Sequence, residues 1–208
     1  MYDHNTTIQN FLDAAAAKQP APGGGSVTAL VGALSASMGE MVINYSIGKK
    51  GLEAHQAELK ETLGEFRRAR QLLLSLMAED QLAYEALTAA KKLPEGSPER
   101  AGQLPAALLA SITTPQAIGA TAAAVLSLCD RLVDKVNFYL LSDLAVSADL
   151  AMATVRCAVY NVRVNLAEVE DADQRQSYEA AVGQVLGHAA VAIQSVSPRI
   201  WARHGRGK

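Results

Sequence analysis

The sequence has few aromatic residues: three phenylalanines, six tyrosines and one tryptophan among 208 residues. It also lacks recurring runs of alternating apolar and polar residues bounded by turn residues, which are typical of β-strands. Apolar residues recur instead at helical spacing along the chain. The sequence therefore predicts an all-α protein, a bundle of about six helices whose core has little aromatic volume and so needs closely packed helices.

An excess of charge of either sign is also absent. Nineteen lysines and arginines balance 21 aspartates and glutamates, which gives a net charge of −2. A basic surface for nucleic acid or for an anionic membrane is therefore not expected. The C-terminal tail is the exception, and we interpret it as a frayed, solvated end. Its basic residues are Arg199, Arg203, Arg206 and Lys208.

Cysteine is scarce, with only Cys129 and Cys157, and both lie in apolar helical sequence. This usage argues against a secreted disulfide scaffold and favours the cytoplasm. No charged segment followed by an apolar one opens the sequence, so we expect no signal peptide. The histidines do not follow metal-ligand spacing, so no bound metal is expected. They are His4, His55, His188 and His204.

One uncharged run, from Leu104 to Cys129, is long enough to cross a bilayer. Pro115 interrupts it, hydroxyl and amide side chains dilute it, and alanine supplies much of its apolar character. A helix of this composition is more typical of the buried centre of a bundle or of a subunit interface. We therefore expect no membrane span.

The chain shows no internal linker, so we predict a single domain over residues 1–208. We expect a break or kink at Pro115 and the end of regular structure at Pro198. Small residues at four-residue spacing in the second helix predict close helix packing, with a homodimer burying the remaining apolar faces. The predicted helices are Thr6–Lys18, Ser26–Ile47, Leu52–Lys92, Leu104–Lys135, Ser142–Asn165 and Asp173–Ser195, and the small residues are Gly32, Ser35, Ala36 and Gly39.

Three consecutive glycines, Gly23, Gly24 and Gly25, stand directly before the second predicted helix. Glycines at this position let backbone N–H groups converge, which is how helix N-termini bind anions. A tight turn with Ser26 as the N-cap explains the same residues. From spacing alone the two interpretations are equally favoured.

The third predicted helix places Asp80 at the centre of an apolar face. Burial would raise the pKa of this carboxyl toward the range that is useful for proton transfer. The alternative is a structural carboxylate that pairs with an arginine or caps a neighbouring helix. The apolar residues of this face are Leu73, Leu76, Met77, Tyr84 and Leu87.

A polar stripe runs along one side of the fifth predicted helix, and three polar residues of the second helix likewise share a face. Buried polar groups need partners, so each set forms either an internal hydrogen-bond network or the wall of a cavity, and we favour the cavity. The polar stripe consists of Asp143, Ser147, Thr154, Asn161 and Asn165, and the second set of Ser26, Ser37 and Asn44.

Three blocks of sequence, "PAPGGGSVTALVGALSASMGEMV" with "IGKK", "EDQLAYEALTAAKKLP" and "NFYLLSDLAVSADLAMATVRCAVYNVRVNL", occur in this order. Together they resemble the cyclodeaminase half of formiminotransferase-cyclodeaminase and the stand-alone bacterial methenyltetrahydrofolate cyclohydrolase. The resemblance covers about Ile8 to Leu166. It implies an all-helical, dimer-forming enzyme that converts one-carbon tetrahydrofolates without metal or nicotinamide, with no cofactor beyond its folate substrate.

The resemblance also implies site residues. Asp80 falls on the acidic position proposed for catalysis, where it would transfer a proton and stabilise the methenyl cation. The glycines and Lys49 would hold anionic or carbonyl parts of the folate, and the amides its polar edge. The substrate-binding positions are Gly23, Gly24, Gly25, Ser26, Lys49, Asn137, Ser142, Asp143, Asn161 and Asn165.

The sequence departs from the family pattern in two places. Glu95 replaces the lysine of the family's "LPK", and Val136 replaces the glycine of its "GN". The segment "NYSIGKKGLEA" is most similar to the stand-alone cyclohydrolase, so we favour hydrolysis of methenyl-tetrahydrofolate to 10-formyl-tetrahydrofolate. The alternatives are cyclodeamination of 5-formimino-tetrahydrofolate and a folate-binding module without catalysis.

Overall fold

The computed structural model describes residues 2–3 and 5–205, and these form six α-helices and no β-strand. The all-α prediction is confirmed. Two short 3-10 turns, Glu53–His55 and Phe138–Leu140, lead into the third and fifth helices. The helices are α1 (Ile8–Ala16), α2 (Gly24–Asn44), α3 (Gln56–Lys91), α4 (Pro98–Leu132), α5 (Leu141–Leu166) and α6 (Ala172–Gly205).

Helices α2 to α5 form an antiparallel four-helix bundle. Helix α2 packs against α3 and α5, α4 packs against the same two helices, and α6 lies across α4 and α5. The largest core cluster surrounds Phe66 at the end of the bundle where α2 stops. A smaller cluster around Leu73 and Met77 lies nearer the beginning of α2. One end of the bundle is therefore closed by apolar packing.

Glycines recur every seven residues along α2, and each faces one side chain of α3. A Cβ atom at Gly39 would lie 2.2 Å from the Phe66 ring, so only glycine lets the two helices approach this closely. The pairs are Gly25 with Asp80, Gly32 with Leu73 and Gly39 with Phe66. The predicted close packing is confirmed. The contacts repeat every seven residues on both helices, as is typical of two helices packed side by side.

Helix α4 begins at Pro98, six residues before its predicted start at Leu104. Ser97 is its N-cap and accepts a hydrogen bond from the Arg100 backbone N–H. Proline is compatible with the first helical position, where its missing N–H would have no helical partner. The first turn of α4 therefore uses residues that the sequence assigned to a loop.

The predicted break at Pro115 is wrong, since α4 continues through this proline. A proline inside a helix frees the carbonyl four residues earlier, here that of Ser111. The side-chain amide of Asn165 donates to this carbonyl at 2.7 Å. A hydrogen bond from α5 thus replaces the missing helical one.

The C-terminal predictions are also corrected. Helix α6 continues through Pro198 to Gly205. Arg199 donates to Asp130 at 2.8 Å, and Arg203 donates to backbone carbonyls at the end of α4. The tail is therefore anchored rather than frayed as far as it is described. Arg206 and Lys208, like His4, lie outside the described residues.

Three helical segments are long and apolar enough to cross a membrane by length and composition alone. All three belong to the four-helix bundle, where they pack against one another. The absence of a membrane span stays a prediction. The segments are Gly24–Asn44, Pro98–Leu132 and Phe138–Leu166.

Candidate active site

A cavity of about 310 Å³ lies at the end of the bundle where α2 begins. It forms because α3, α4 and α5 extend beyond the first turn of α2. Its walls come from the segment before α2 and from all four bundle helices. The lining residues are Pro20, Ala21, Gly23, Gly24, Gly25, Asp80, Gln81, Ala83, Tyr84, Leu87, Ser111, Pro115, Asn161, Val164 and Asn165.

The three glycines form the floor of this cavity. Gly23 is the N-cap of α2, and the next two glycines lie in its first turn. A Cβ atom at Gly25 would lie 1.9 Å from Oδ1 of Asp80, and one at Gly24 would lie 3.2 Å from Oδ1 of Asn161. The glycines are needed because side chains of α3 and α5 pack directly against this turn.

Ser26 is not the N-cap of α2, so that interpretation is wrong. It lies inside the first turn, and its Oγ donates to Oδ2 of Asp80 at 3.0 Å. The Ser26 backbone N–H also stabilises the ionised carboxylate. The N-terminus of α2 therefore meets an anion, as the glycines suggested, and in this structure the anion is the carboxylate of Asp80.

The predicted apolar face around Asp80 is confirmed. Leu73, Leu76, Met77 and Leu87 are all buried, whereas Tyr84 is half-exposed at the cavity wall. Burial raises the pKa of Asp80, and the two hydrogen bonds from Ser26 offset part of this effect. A carboxyl with a raised pKa can exchange protons nearer to neutral pH than an ordinary aspartate.

Two asparagines of α5 supply the polar wall opposite Asp80. The side-chain amide of Asn161 donates to Oγ1 of Thr28 at 3.3 Å. That of Asn165 donates to the carbonyl oxygens of Ser111 and Asn161 at 2.7 and 3.1 Å. Both amide N–H groups of Asn165 and one of the two of Asn161 bond to protein acceptors, and the Oδ1 atoms of both side chains can accept from a ligand. With Asp80 they make a wall rich in acceptors, which suits a ligand that presents N–H donors.

The middle of the polar stripe is structural. Ser147 and Ser35 exchange hydrogen bonds with each other's backbone carbonyls at 2.8 and 2.7 Å. Thr154 donates to the Leu150 carbonyl at 2.8 Å. The cavity interpretation therefore holds for the C-terminal half of the stripe, and the internal network for its middle.

The three polar residues that were predicted to share one face of α2 also differ in their roles. Ser26 meets Asp80, but Ser37 donates to the Ala33 carbonyl and Asn44 is exposed at the end of the helix. Of these three only Ser26 contacts a cavity-lining side chain, that of Asp80, and Ser26 itself is buried beneath the cavity.

Four predicted substrate-binding residues lie at the opposite end of the bundle, about 30 Å away by the length of α2. There the backbone N–H of residue 137 donates to Oγ of Ser46 at 2.9 Å, and Nζ of residue 49 lies 5.6 Å from the centre of the Tyr139 ring. Within one chain these residues do not meet the cavity, and their role stays a prediction. They are Lys49, Asn137, Ser142 and Asp143.

Sequence reasoning missed Gln81 and Ser111 as cavity residues. Gln81 is buried, accepts from the Tyr2 backbone N–H at 2.9 Å and donates to Glu85 at 2.7 Å. Ser111 had a usable signal, because it stands four residues before Pro115 and so carries a free carbonyl. Gln81 had none, since its environment depends on a contact with Tyr2, 79 residues away in sequence.

In the part of the chain that the structure describes, no group of three or more His, Cys, Asp or Glu residues is placed to hold a metal ion. The chemistry that the site itself offers is proton exchange at Asp80 beside hydrogen-bond acceptors.

The chain is similar to known proteins over most of its length. Residues 7–184 match the family model for formiminotransferase-cyclodeaminase, which extends the resemblance into α6. The chain is 34% identical over 171 residues to a methenyltetrahydrofolate cyclohydrolase from Methylorubrum extorquens, covering 80% of this chain and 82% of that protein. It is 30% identical over 200 residues to the formimidoyltransferase-cyclodeaminase of Sus scrofa, of which it spans only 37%.

A solved structure agrees with these sequence matches. The chain superposes on formiminotetrahydrofolate cyclodeaminase from Thermotoga maritima with a TM-score of 0.89 and 27% identity. The match covers 95% of this chain and 97% of the other. The sequence, the helical architecture and the matched relatives agree, and the chain belongs to the formiminotransferase-cyclodeaminase family.

Proposed function

We propose that this chain is a folate one-carbon enzyme, a methenyltetrahydrofolate cyclohydrolase that converts 5,10-methenyl-tetrahydrofolate and water to 10-formyl-tetrahydrofolate. The observation that carries the proposal is the carboxyl of Asp80 on α3. It lines the cavity, packs against the first turn of α2 and has a raised pKa. Support also comes from the Methylorubrum relative, which is named for this reaction and matched over most of both chains.

The reaction needs a group that moves a proton in two steps. The negative carboxylate of Asp80 first stabilises the positive charge of the methenyl carbon. It then takes a proton from water as the water oxygen attacks that carbon. The tetrahedral carbinol then breaks its bond to N5, and Asp80 returns the proton to N5. The hydroxyl proton leaves to solvent as the formyl carbonyl forms.

The remaining cavity residues position the substrate. Oδ1 of Asn161 and of Asn165 accept hydrogen bonds from the N–H groups of the pterin ring, while Leu87 and Tyr84 provide apolar contact for its faces. Gly25 and Ser26 hold the carboxylate of Asp80 in place. Proton transfer and positioning suffice for this reaction, so we propose no cofactor beyond the tetrahydrofolate substrate.

Cyclodeamination of 5-formimino-tetrahydrofolate is the second candidate. It is favoured by the fold match to the Thermotoga cyclodeaminase. Here N10 attacks the formimino carbon while protonated Asp80 gives its proton to the imino nitrogen. The resulting carboxylate takes the N10 proton and delivers it to the same nitrogen. Ammonia leaves and the methenyl compound forms.

We further propose a cytoplasmic homodimer that binds neither nucleic acid nor membrane. The nearly neutral charge of the chain supports the absence of nucleic acid. The free thiols of Cys129 and Cys157 support a reducing compartment.

One spectrophotometric experiment tests the activity. Purified protein is incubated separately with methenyl- and 5-formimino-tetrahydrofolate, and the methenyl absorbance is followed. Loss of absorbance with the first substrate supports the cyclohydrolase, whereas gain with the second supports the cyclodeaminase. Binding without turnover of either would indicate a folate-binding protein and contradict the proposal.

The variant Asp80→Asn should lower kcat by at least about 100-fold, because an amide cannot exchange the proton. Its helical circular dichroism should be retained, since the amide oxygen still accepts from Ser26. Glu79→Gln is the matched control, because this neighbouring carboxylate is exposed. Ordinary turnover by Asp80→Asn would contradict the role of Asp80.

A further inference from the structure

Two amide side chains of the cavity wall each depend on a residue of another helix for their orientation. An asparagine amide can face a ligand with its oxygen, which accepts a hydrogen bond, or with its nitrogen, which donates one. Which atom faces the ligand depends on the protein partners of the other atom. The two asparagines are Asn161 and Asn165 of α5, and the residues that act on them are Thr28 of α2 and Pro115 of α4.

Thr28 determines the orientation of Asn161. The buried side chain of Thr28 has one hydroxyl proton, which it donates to the Gly24 carbonyl at 2.6 Å. Because that proton is used, Oγ1 of Thr28 can only accept, and the side-chain amide of Asn161 donates to it at 3.3 Å. Oδ1 of Asn161 therefore lies on the other side of the amide, where a Cβ atom at Gly24 in the cavity floor would be 3.2 Å from it.

Pro115 determines the orientation of Asn165 through a backbone carbonyl. Proline has no N–H group, so the carbonyl of Ser111, four residues earlier in α4, has no helical partner. The side-chain amide of Asn165 donates to this carbonyl at 2.7 Å and to the Asn161 carbonyl at 3.1 Å. Carbonyl oxygens cannot donate, so only the amide nitrogen can face them, and Oδ1 of Asn165 is left for a ligand.

We propose that Thr28 and Pro115 are positioning residues of this site, which turn the side-chain oxygens of Asn161 and Asn165 toward the ligand. Their effect on binding passes through the two amides. The wall then accepts hydrogen bonds from ligand N–H groups and disfavours a ligand edge that carries only acceptors. The class of ligand rests on the proposed function, since the pterin ring of tetrahydrofolate carries such N–H groups.

Two substitutions remove this control of orientation. Thr28→Val nearly keeps the shape of the side chain but removes the oxygen that accepts from Asn161. Pro115→Ala returns an N–H group to α4, and this group competes with the amide of Asn165 for the Ser111 carbonyl. In each variant one amide loses the partner that fixes its orientation.

Amide hydrogen exchange tests the orientation without a ligand. In protein that carries isotope-labelled asparagine, the NMR signals of the Asn165 amide are identified by their absence in Asn165→Ala. These hydrogens should exchange about fivefold faster in Pro115→Ala than in the wild type, because one hydrogen bond is weakened. Pro105→Ala is the matched control, since this second proline inside α4 is exposed and lies outside the cavity wall. Equal exchange in Pro115→Ala and the wild type would overturn the role of Pro115.

A double-mutant cycle tests whether Thr28 acts through Asn161. The probe is tetrahydrofolate itself, which has the pterin ring but no one-carbon group to convert, and isothermal titration calorimetry measures its Kd. Thr28→Val should raise Kd about fivefold in the wild-type background and by less than about twofold in an Asn161→Ala background. An equal effect in both backgrounds would overturn the role of Thr28.

Two controls separate this role from a general loss of packing. Thr28→Ser should bind tetrahydrofolate like the wild type, since it keeps the oxygen that accepts from Asn161. Thr154→Val also removes a buried threonine hydroxyl that bonds within its own helix, and it should leave Kd unchanged. Weak binding by Thr28→Ser would contradict the positioning role.

The corresponding cycle for Pro115 uses Asn165. Pro115→Ala should raise the Kd of tetrahydrofolate about fivefold, and by less than about twofold when Asn165 is already alanine. In turnover assays KM should rise by a similar factor while kcat stays within about twofold, because the contacts of Asp80 are unchanged. A Pro115→Ala effect that persists without Asn165 would show direct contact with the ligand and overturn the positioning role.

The outcomes separate the positioning roles from the proposed function. Tetrahydrofolate that binds the wild type, with both cycles additive, would overturn the positioning roles alone. A wild type that neither binds tetrahydrofolate nor turns over its derivatives would contradict the proposed function, and amide exchange would still decide whether Pro115 orients Asn165.

Discussion

At both ends of the α2–α3 contact a glycine of α2 makes room for a side chain of α3, but the two side chains have different roles. At one end the ring of Phe66 lies against Gly39 and is fully buried in the largest core cluster. At the other end the carboxylate of Asp80 lies against Gly25 and borders a cavity. A glycine under an α3 side chain therefore stabilises the bundle at the closed end and positions a reactive group at the open end.

The register between these ends is continuous. Gly32 lies midway, seven residues from each of the other two glycines, and packs against Leu73. Because the three contacts share one register, the packing at the closed end also determines which α3 residue reaches the first turn of α2. One pair of helices thus carries both the stabilising contact of the closed end and the active-site contact of the open end.

The largest effect is expected at the open end. In Gly25→Ala the added methyl group would occupy the position of the Asp80 carboxylate, 1.9 Å from Oδ1. A misplacement of about 1 Å costs about 100-fold in rate, so kcat/KM should fall by at least that factor. Steady-state assays measure it, with Gly24→Ala as a milder control at 3.2 Å from Asn161. Equal activities of Gly25→Ala and wild type would contradict the role of Gly25 in positioning Asp80 at the open end.

The second effect concerns the closed end. Gly39→Ala forces a methyl group against the Phe66 ring, and such overpacking typically costs about 1–3 kcal/mol of unfolding free energy. Urea denaturation measures this loss, while kcat/KM of the remaining folded protein should be unchanged. The double variant Gly39→Ala/Phe66→Leu should regain part of the stability. Lost activity at full stability would contradict the structural role of this end.

The third prediction uses pH at the open end. Burial raises the pKa of Asp80, and hydrolysis needs its ionised form. The rate should therefore fall as pH drops below that pKa, by about tenfold per pH unit, and the decline should begin above the range of an ordinary aspartate. Rates are corrected for the enzyme-free reaction at each pH. A rate that rises on acidification would favour the cyclodeaminase, which uses the protonated form.

The smallest effects distinguish the two parts of the polar stripe. Asn161→Ala removes an acceptor from the cavity and should raise KM about tenfold, the equivalent of one hydrogen bond of about 1.4 kcal/mol. Thr154→Val replaces a hydroxyl that bonds within its own helix, and should change KM by less than about twofold and stability by less than about 1 kcal/mol. Equal effects of the two substitutions on KM would contradict the division of the stripe.

Much of the fold could be predicted from sequence, because helical periodicity is a local property. Helices α1, α2, α3 and α5 lie within four residues of their predicted bounds. The errors concern prolines. Pro115 and Pro198 were expected to break or end helices, but tertiary partners at Asn165 and around Arg199 hold the chain helical there. Such partners cannot be identified from the proline alone.

The candidate site could be predicted only in part. Asp80 and the two asparagines at the C-terminal end of the polar stripe were found by helical spacing and by family resemblance, and they meet at one cavity. Lys49 and Asn137 were assigned to the same site, but they lie at the other end of α2. A linear pattern contains no information on which end of an antiparallel bundle a residue reaches.

By itself the sequence determined the helical class, the apolar surroundings of Asp80 and the seven-residue spacing of the α2 glycines, since each depends on residues within a few turns of one helix. Only the tertiary structure decided that Asp80 rests on Gly25 and bonds to Ser26, 54 residues away. The physical reason is that the register between two helices depends on the fit of their entire contact surface. At this site that fit leaves space for a carboxylate only where a Cβ atom is missing.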